Sequence, residues 1–335
     1  MSLAALNARL ARHDLETAEI DSAFATLMEG AASHQEIKTF LELTIPYMAD
    51  PRWLAAGARA QRARMLRVKA PADAIDVCGT GGDGAQTLNI STAVAFVAAG
   101  AGAIVAKHGN RAMSSKSGAA DVLEALGVNL TSEAATLERA LREAGVAFLF
   151  AQNHHPAMRH VAQARREIGA RTLFNLLGPL SNPAGVSRQL VGVFSSEYVE
   201  PVANALNQLG CARALVVHGQ GGLDELSAAD KKANDIAVLE NGAVTRQHAS
   251  VGASIDPDLI GASALDNATE LRALLSGRGR SGHRAAVLVN AAAALYVAER
   301  APSFTDAHGL AAQSIDSGAA LLALEKLIDI CRSAP

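Results

Sequence analysis

Aromatic residues are scarce in this 335-residue chain: Phe, Tyr and Trp make up 4% of it, while half of it is hydrophobic. The excess is mostly alanine, valine and leucine, which suits helices packed closely on a sheet better than a β-sandwich. Cysteine is equally rare. Cys78, Cys211 and Cys331 are odd in number, far apart and without metal-ligand spacing. That argues against a disulfide framework or zinc module and predicts reduced, mostly buried thiols in a cytoplasmic protein. Charge of either sign is not in surplus. With a net charge of −3, nucleic acid is not an expected partner. Long apolar runs are missing too. The longest, residues 92–106, is interrupted by Gly100 and Gly102 and falls short of the roughly 20 residues a membrane helix needs. Arg9, Arg12, His13 and Asp14 stand in the first turns, so neither a membrane partner nor a signal peptide is expected. At this length a large core, and two domains, can be built.

What the chain does have is concentrated in residues 76–124. Two short apolar runs, 74–78 and 103–106, read as buried strands, and 92–101 reads as a helix between them. Each run empties into a loop of small and polar residues, 79–88 and 107–118. This strand–loop–helix–strand–loop–helix order predicts a parallel sheet with both loops at its carboxyl edge. Gly79, Gly81, Gly82 and Gly84 let the backbone turn tightly and offer N–H groups to an anion. Asn89, Ser91 and Thr92 fall at an N-cap and first turn, aiming a helix dipole at the same place. Lys107 adds a mobile point charge from the next strand end, and Ser114, Ser115, Lys116 and Ser117 add donors. One glycine turn alone would be a plain strand-to-helix connection; two such loops with a lysine between them point to phosphate. The spacing is neither that of a dinucleotide fold nor that of a P-loop.

Before this stretch, residues 2–70 look wholly helical. Gly30 stops one helix, Ser33 and Glu36 form a capping-box pair, and 53–68 reads as a helix with Arg59, Arg62 and Arg64 on its solvent side. After it come a helix at 134–144, a third strand at 146–150 and a helix at 156–168. His154 and His155, at that strand's end, read as loop and pocket residues and not as metal ligands. Residues 174–183 form a Gly/Pro-broken connection that returns toward the amino-terminal helices, placing Arg165 near a hinge, where clefts form. Strands follow at 190–194 and 214–218, then Asp224 and Glu225 after a glycine-rich turn. Vicinal acids are usually only solvated, but on the rim of phosphate loops they are the hard ligands that hold Mg²⁺. A hairpin near 240–242, a strand at 285–290 and helices at 291–301 and 315–331 complete the reading.

GTGGDG at 79–84, NIST at 89–92 and KHGNR at 107–111 closely resemble the anthranilate phosphoribosyltransferase family of tryptophan biosynthesis, and the resemblance covers nearly the whole chain. It implies an α/β fold: a small helical domain (1–72, with a returning segment near 170–188) beside a larger α/β domain (73–169 and 189–335) with a mostly parallel central sheet. It implies transfer of phosphoribose from phosphoribosyl pyrophosphate (PRPP) to the amino group of anthranilate, with release of pyrophosphate. PRPP would be bound by Gly79, Gly82, Asp83, Thr87, Asn89, Ile90, Ser91, Thr92, Lys107, His108, Gly109, Asn110, Arg111, Ala112, Met113, Ser114, Ser115 and Ala119. Gly79, Asn110 and Arg165 would face anthranilate. Ser91, Asp224 and Glu225 would hold Mg²⁺, two ions per subunit, and subunits would pair as homodimers through the helical domain.

Against the family pattern, Ala119 stands at a usual serine, Gln152 at a usual proline and Asn234 at a usual threonine. The reaction suits the residue types. It leaves an oxocarbenium-like sugar and a highly charged leaving group, for which Mg²⁺, Lys107 and backbone donors supply the stabilisation. No catalytic nucleophile is expected, since the aromatic amine needs no strong base and positioning carries the rate. A nucleoside phosphorylase of the same fold, or a nucleic-acid-binding relative, would not call for both metal acids and Arg165.

Overall fold

Short runs of small aliphatic residues, most of them ended by a glycine, build the centre of the molecule. The computed structural model describes residues 1–12, 14–112, 116–228, 234–247 and 255–332. Its sheet is seven-stranded: β1 is Ile75–Gly79, β2 Val105–Gly109, β3 Val146–Phe150, β4 Arg188–Gly192, β5 Arg213–Gly219, β6 Asn234–Glu240 and β7 Ala243–Gln247. The order across it is β3-β2-β1-β4-β5-β6-β7. β1 to β5 are parallel, with Ile75 opposite Val105 on one side and Arg188 on the other. β6 and β7 run antiparallel and form the expected hairpin. Its turn places Asn241 at φ 53°, the backbone that a tight hairpin of matching twist demands.

Parallel neighbours need crossovers, so helices cover both faces. The amino-terminal ones are α1 (Leu3–Leu10), α2 (Thr17–Glu29), α3 (His34–Leu43) and α4 (Pro51–Arg62). Next come α5 (Ile90–Gly100), α6 (Ala119–Ala125), α7 (Ala134–Glu143), α8 (Ala151–His154), α9 (Arg159–Ile168) and α10 (Val199–Gln208). The carboxyl-terminal set is α11 (Ala264–Leu275), α12 (Ser281–Val297), α13 (Phe304–Asp316) and α14 (Ala319–Arg332). Gly30 caps α2 in the left-handed region and the Ser33–Glu36 capping box opens α3, as their spacing predicts.

Successive strand residues point to opposite faces, and the two faces feed different cores. Val77, Leu190, Leu215 and Val217 pack with α5, α12 and α14, whereas Cys78, Val191, Ala214 and Val216 pack with α4, α10 and the amino-terminal helices. Several of the scarce aromatics gather in the second core. The Phe24 ring centroid lies 5.5 Å from Phe40, 6.3 Å from Trp53 and 6.2 Å from Phe174. Leu173, Phe174, Leu176, Leu177 and Leu180 therefore share the core of the first helices, as do Val161 and Ala164 of α9. All three cysteines are buried and free.

Three expectations are corrected. Residues 285–290 are not a strand but the middle of α12. An apolar run buried on nearly all sides carries no period to separate helix from strand. Residues 53–68 are helical only as far as Arg62. Arg62 itself does not face solvent: it is half-buried and donates from Nε to the Leu180 carbonyl at 2.7 Å, tying α4 to the returning segment.

Candidate active site at the carboxyl edge of the sheet

The parallel strands all end at one edge, and the loops that leave them there converge. Gly81, Gly82 and Gly84 take positive φ, which gives the expected tight glycine turn after β1. The loop is then fastened at its far end. The Leu88 amide donates to the Leu259 carbonyl at 2.7 Å, and the Gly261 amide donates to Gln86 at 2.9 Å. Asn89 caps α5 by position, but its side chain works sideways, donating to the Ser117 carbonyl and accepting from Asn267 at 3.0 Å. Arg171, which sequence reasoning passed over, donates to the Gly82 carbonyl and lies 4.1 Å above the Phe194 ring.

The loop after β5 lies directly across the ends of β1 and β4. A Cβ on Gly192 would fall 1.3 Å from the Asp224 carbonyl oxygen, and one on Gly79 would fall 2.1 Å from an Asp224 carboxylate oxygen. At Gly192 the clash is with backbone and only glycine fits; at Gly79 a side chain would displace the Asp224 carboxylate. The Gly81 amide donates to Asp224 at 2.7 Å, so in this arrangement one of the anion-seeking amides is spent on a protein carboxylate. Asp83, Asp224 and Glu225 each bring a carboxylate oxygen within 4.8 Å of the others. Asp83 was expected at PRPP only; geometry joins it to the acid pair. Burial, and then the Asp83 charge, push Asp224 up to about 7. Burial beside Asp224 raises Glu225 well above the carboxylate range. Glu225 Oε2 is buried without a hydrogen-bond partner. Three hard oxygen donors this close, one of them unsatisfied, fit a Mg²⁺ ion. Asp224 and Glu225 also line a small cavity with Cys78, Ser91 and Asn290.

Lys107 is not the mobile charge expected. It is 3% exposed, and its ammonium donates to the Val77 carbonyl at 2.7 Å and to the Ser91 hydroxyl at 3.1 Å. Burial lowers its pKa, while Asp76 opposes that most strongly. Asp76, fully buried on β1, accepts from the His108 amide at 3.0 Å and thereby fixes the end of β2. His108 and His155 are buried together with their Nε2 atoms 3.2 Å apart. His108 Nδ1 lies 3.1 Å from the Gly178 carbonyl. A carbonyl only accepts, so that network puts the His108 proton on Nδ1, and Nε2 accepts from His155.

Asn110 Oδ1 accepts from the Arg111 amide and, at 3.4 Å, from Gln152. Arg111 itself turns away to Asp121 and Glu124 on α6. Ala119 opens α6, where the Gly118 and Ala112 amides are already held by Asp121. Arg165 is half-buried, 5.6 Å from the Phe174 centroid, and its pKa is lowered by burial. Among the described residues no acid pairs with it. Met113, Ser114 and Ser115 lie outside the described residues.

The glycine loop, buried lysine and acid cluster on one strand edge suit a phosphorylated ligand, and the class of protein is a glycosyl transferase. The family model described as glycosyl transferase family, a/b domain, matches residues 71–321. An anthranilate phosphoribosyltransferase of Rubrobacter xylanophilus is 47% identical over 98% of this chain and 97% of its own. The crystal structure of the Thermus thermophilus anthranilate phosphoribosyltransferase superposes with a TM-score of 0.89 at 39% identity, covering 98% and 99% of the two chains. That from Saccharomyces cerevisiae in complex with PRPP and Mg superposes at 0.86 and 26% identity, covering 99% and 98%. The chain belongs to the anthranilate phosphoribosyltransferase family.

Proposed function

We propose that the chain transfers phosphoribose from PRPP to the amino group of anthranilate, giving N-(5-phosphoribosyl)anthranilate and pyrophosphate in tryptophan biosynthesis. The observation that carries this reading is the meeting of Asp83, Asp224 and Glu225 with the glycine loop at one strand edge. Ser91, Asp224 and Glu225, now with Asp83, would hold Mg²⁺, two ions per subunit, which when bound neutralises pyrophosphate charge. Backbone donors of the glycine loop and the amino end of α5 would receive phosphate oxygens, with Thr87, Asn89 and Thr92 around them. Lys107, pinned beside Ser91, supplies a fixed positive charge that needs no reorganisation as the leaving group departs.

Arg165, which no acid pairs among the described residues, would grip the anthranilate carboxylate with its planar fork. Asn110, whose Oδ1 is occupied, keeps its amide donors for the same ring. The organisation that goes with this function is a small helical domain, 1–72 with the returning segment near 170–188, beside a catalytic α/β domain. The shared core of Phe24 and Phe174 supports that return, and α9 joins it. Subunits would pair through the helical domain in the cytoplasm. No described helix is long and apolar enough to cross a membrane.

The test is a substrate panel. Purified protein with PRPP and Mg²⁺ should release pyrophosphate only when anthranilate is added. Phosphorolysis of uridine or thymidine without anthranilate turnover would instead make it a phosphorylase of the same fold.

A further inference from the structure

Two buried asparagines grip the backbone immediately after the acid pair. Asn290 of α12 accepts from the Leu226 amide at 2.9 Å through Oδ1 and donates to the Leu226 carbonyl at 2.8 Å through Nδ2. Asn234, the first residue of β6, does the same to Ser227: its Oδ1 accepts from the amide at 2.7 Å and its Nδ2 donates to the carbonyl at 2.9 Å. Each side chain thus satisfies both polar groups of one residue, which is the pairing a neighbouring strand would give. Asn290 is 2% exposed and Asn234 7%.

These contacts do what the acids cannot do for themselves. Asp224 and Glu225 are adjacent acids in a poorly solvated loop that lies directly against Gly79 and Gly192. Left alone, such a loop relaxes toward water. Its peptide groups also sit too deep to remain unpaired without cost. Asn290 holds it from the helix side, where the same residue lines the cavity with Ser91, Asp224 and Glu225. Asn234 holds it from the neighbouring strand.

We propose that Asn290 and Asn234 are positioning residues that hold Asp224 and Glu225 in metal-binding geometry. The proposal rests on the reading of the acid pair as the Mg²⁺ site. Supports of this kind commonly change metal affinity by about 10–100-fold when removed. Their effect should appear in ion binding itself, not only in turnover.

The experiment measures free Mn²⁺ by electron paramagnetic resonance during titration of the full-length protein with Mn²⁺ and pyrophosphate. Asn290→Leu keeps a good helix former of similar bulk, and Asn234→Val suits a strand; each deletes both hydrogen bonds to the loop. Both should weaken Mn²⁺ binding about tenfold or more, with an unchanged KM for anthranilate. Asn234→Thr, which keeps one hydrogen-bonding group, should fall between Asn234→Val and the parent. Wild-type Mn²⁺ binding by a folded variant of either asparagine overturns the proposal, so if one variant does not fold the other decides. The double variant Asp224→Asn, Glu225→Gln separates the two claims. If it binds Mn²⁺ like the parent, the acid-pair reading fails. If it loses Mn²⁺ while the asparagine variants retain it, only the positioning role fails.

Discussion

The Lys107 ammonium donates to the carbonyl of Val77 at 2.7 Å, across from β2 to β1. The two strands are neighbours, so the charge is anchored in the sheet, with a second hydrogen bond to the Ser91 hydroxyl at the amino end of α5. A flexible surface lysine in its place would have to be ordered at each turnover. Lys107→Met keeps the stem and removes the charge. It should lower kcat/KM for PRPP on the order of a hundredfold. Steady-state titration of PRPP checks this, and a change below threefold would mean the lysine only ties β2 to β1.

Arg165 gives a cleaner division between substrates. Its guanidinium is half-buried over Phe174 without an acid partner among the described residues. Arg165→Ala should raise the KM for anthranilate and leave that for PRPP nearly unchanged. A hydrogen bond to a charged group is worth roughly 1.5–3 kcal/mol, so about tenfold or more is expected. Equal damage to both substrates would identify a packing residue.

Ala119 predicts a gain. The amides of Gly118 and Ala112 beside it are already held by Asp121, so a phosphate there would find fewer backbone donors than an open helix end offers. Ala119→Ser adds a neutral hydroxyl at a half-buried, partly solvated position, which screens the bond to about 1 kcal/mol, below the usual value for a charged acceptor. The KM for PRPP should fall roughly three- to tenfold, with little change for anthranilate. Paired titrations at one Mg²⁺ concentration decide it, and an unchanged or higher KM for PRPP refutes it.

Stability should weaken in acid through the paired histidines. Burial, then the neighbouring His155, drives His108 down to about 3; burial, then His154, drives His155 to about 4. Their unfolded values are near the usual 6.5, so below that pH the unfolded chain binds more protons than the folded one. The stability they contribute is present above pH 6.5 and is lost as pH falls toward 4 and then 3. Each costs up to about 1.4 kcal/mol per pH unit in that window. Thermal unfolding from pH 7.5 to 5 should show a falling Tm, with a shallower fall in His155→Gln. Parallel slopes in the two proteins would contradict the assignment.

Much of this molecule is legible in one dimension. Residues 146–150 are recognisable as a strand, the Ser33–Glu36 box as a helix start and 240–242 as a hairpin, because period and turn chemistry are local. The glycine loop and the vicinal acids announce their chemistry for the same reason. What sequence hides is contact over distance. Nothing near Gly81 shows that its amide faces Asp224, and nothing near Asp83 places it with that pair. Lys107 looks like a surface charge until β1 supplies Val77 and Asp76. Asn290 lies in a run of alanine, valine and leucine that reads as a strand, so its grip on Leu226 is invisible until α12 is seen. Arg171 shows only an ordinary basic residue in a connection.

The central claim is phosphoribosyl transfer to anthranilate at a metal-bearing acid cluster. Its most direct measurement follows loss of anthranilate fluorescence with PRPP while Mg²⁺ is titrated, for the parent and for Asp224→Asn, Glu225→Gln. The account predicts rapid, Mg²⁺-dependent loss in the parent. In the double variant it predicts rates lower by orders of magnitude, partly restored only at far higher Mg²⁺. Superimposable Mg²⁺ titrations in the two proteins, or no consumption of anthranilate by folded parent, would contradict it.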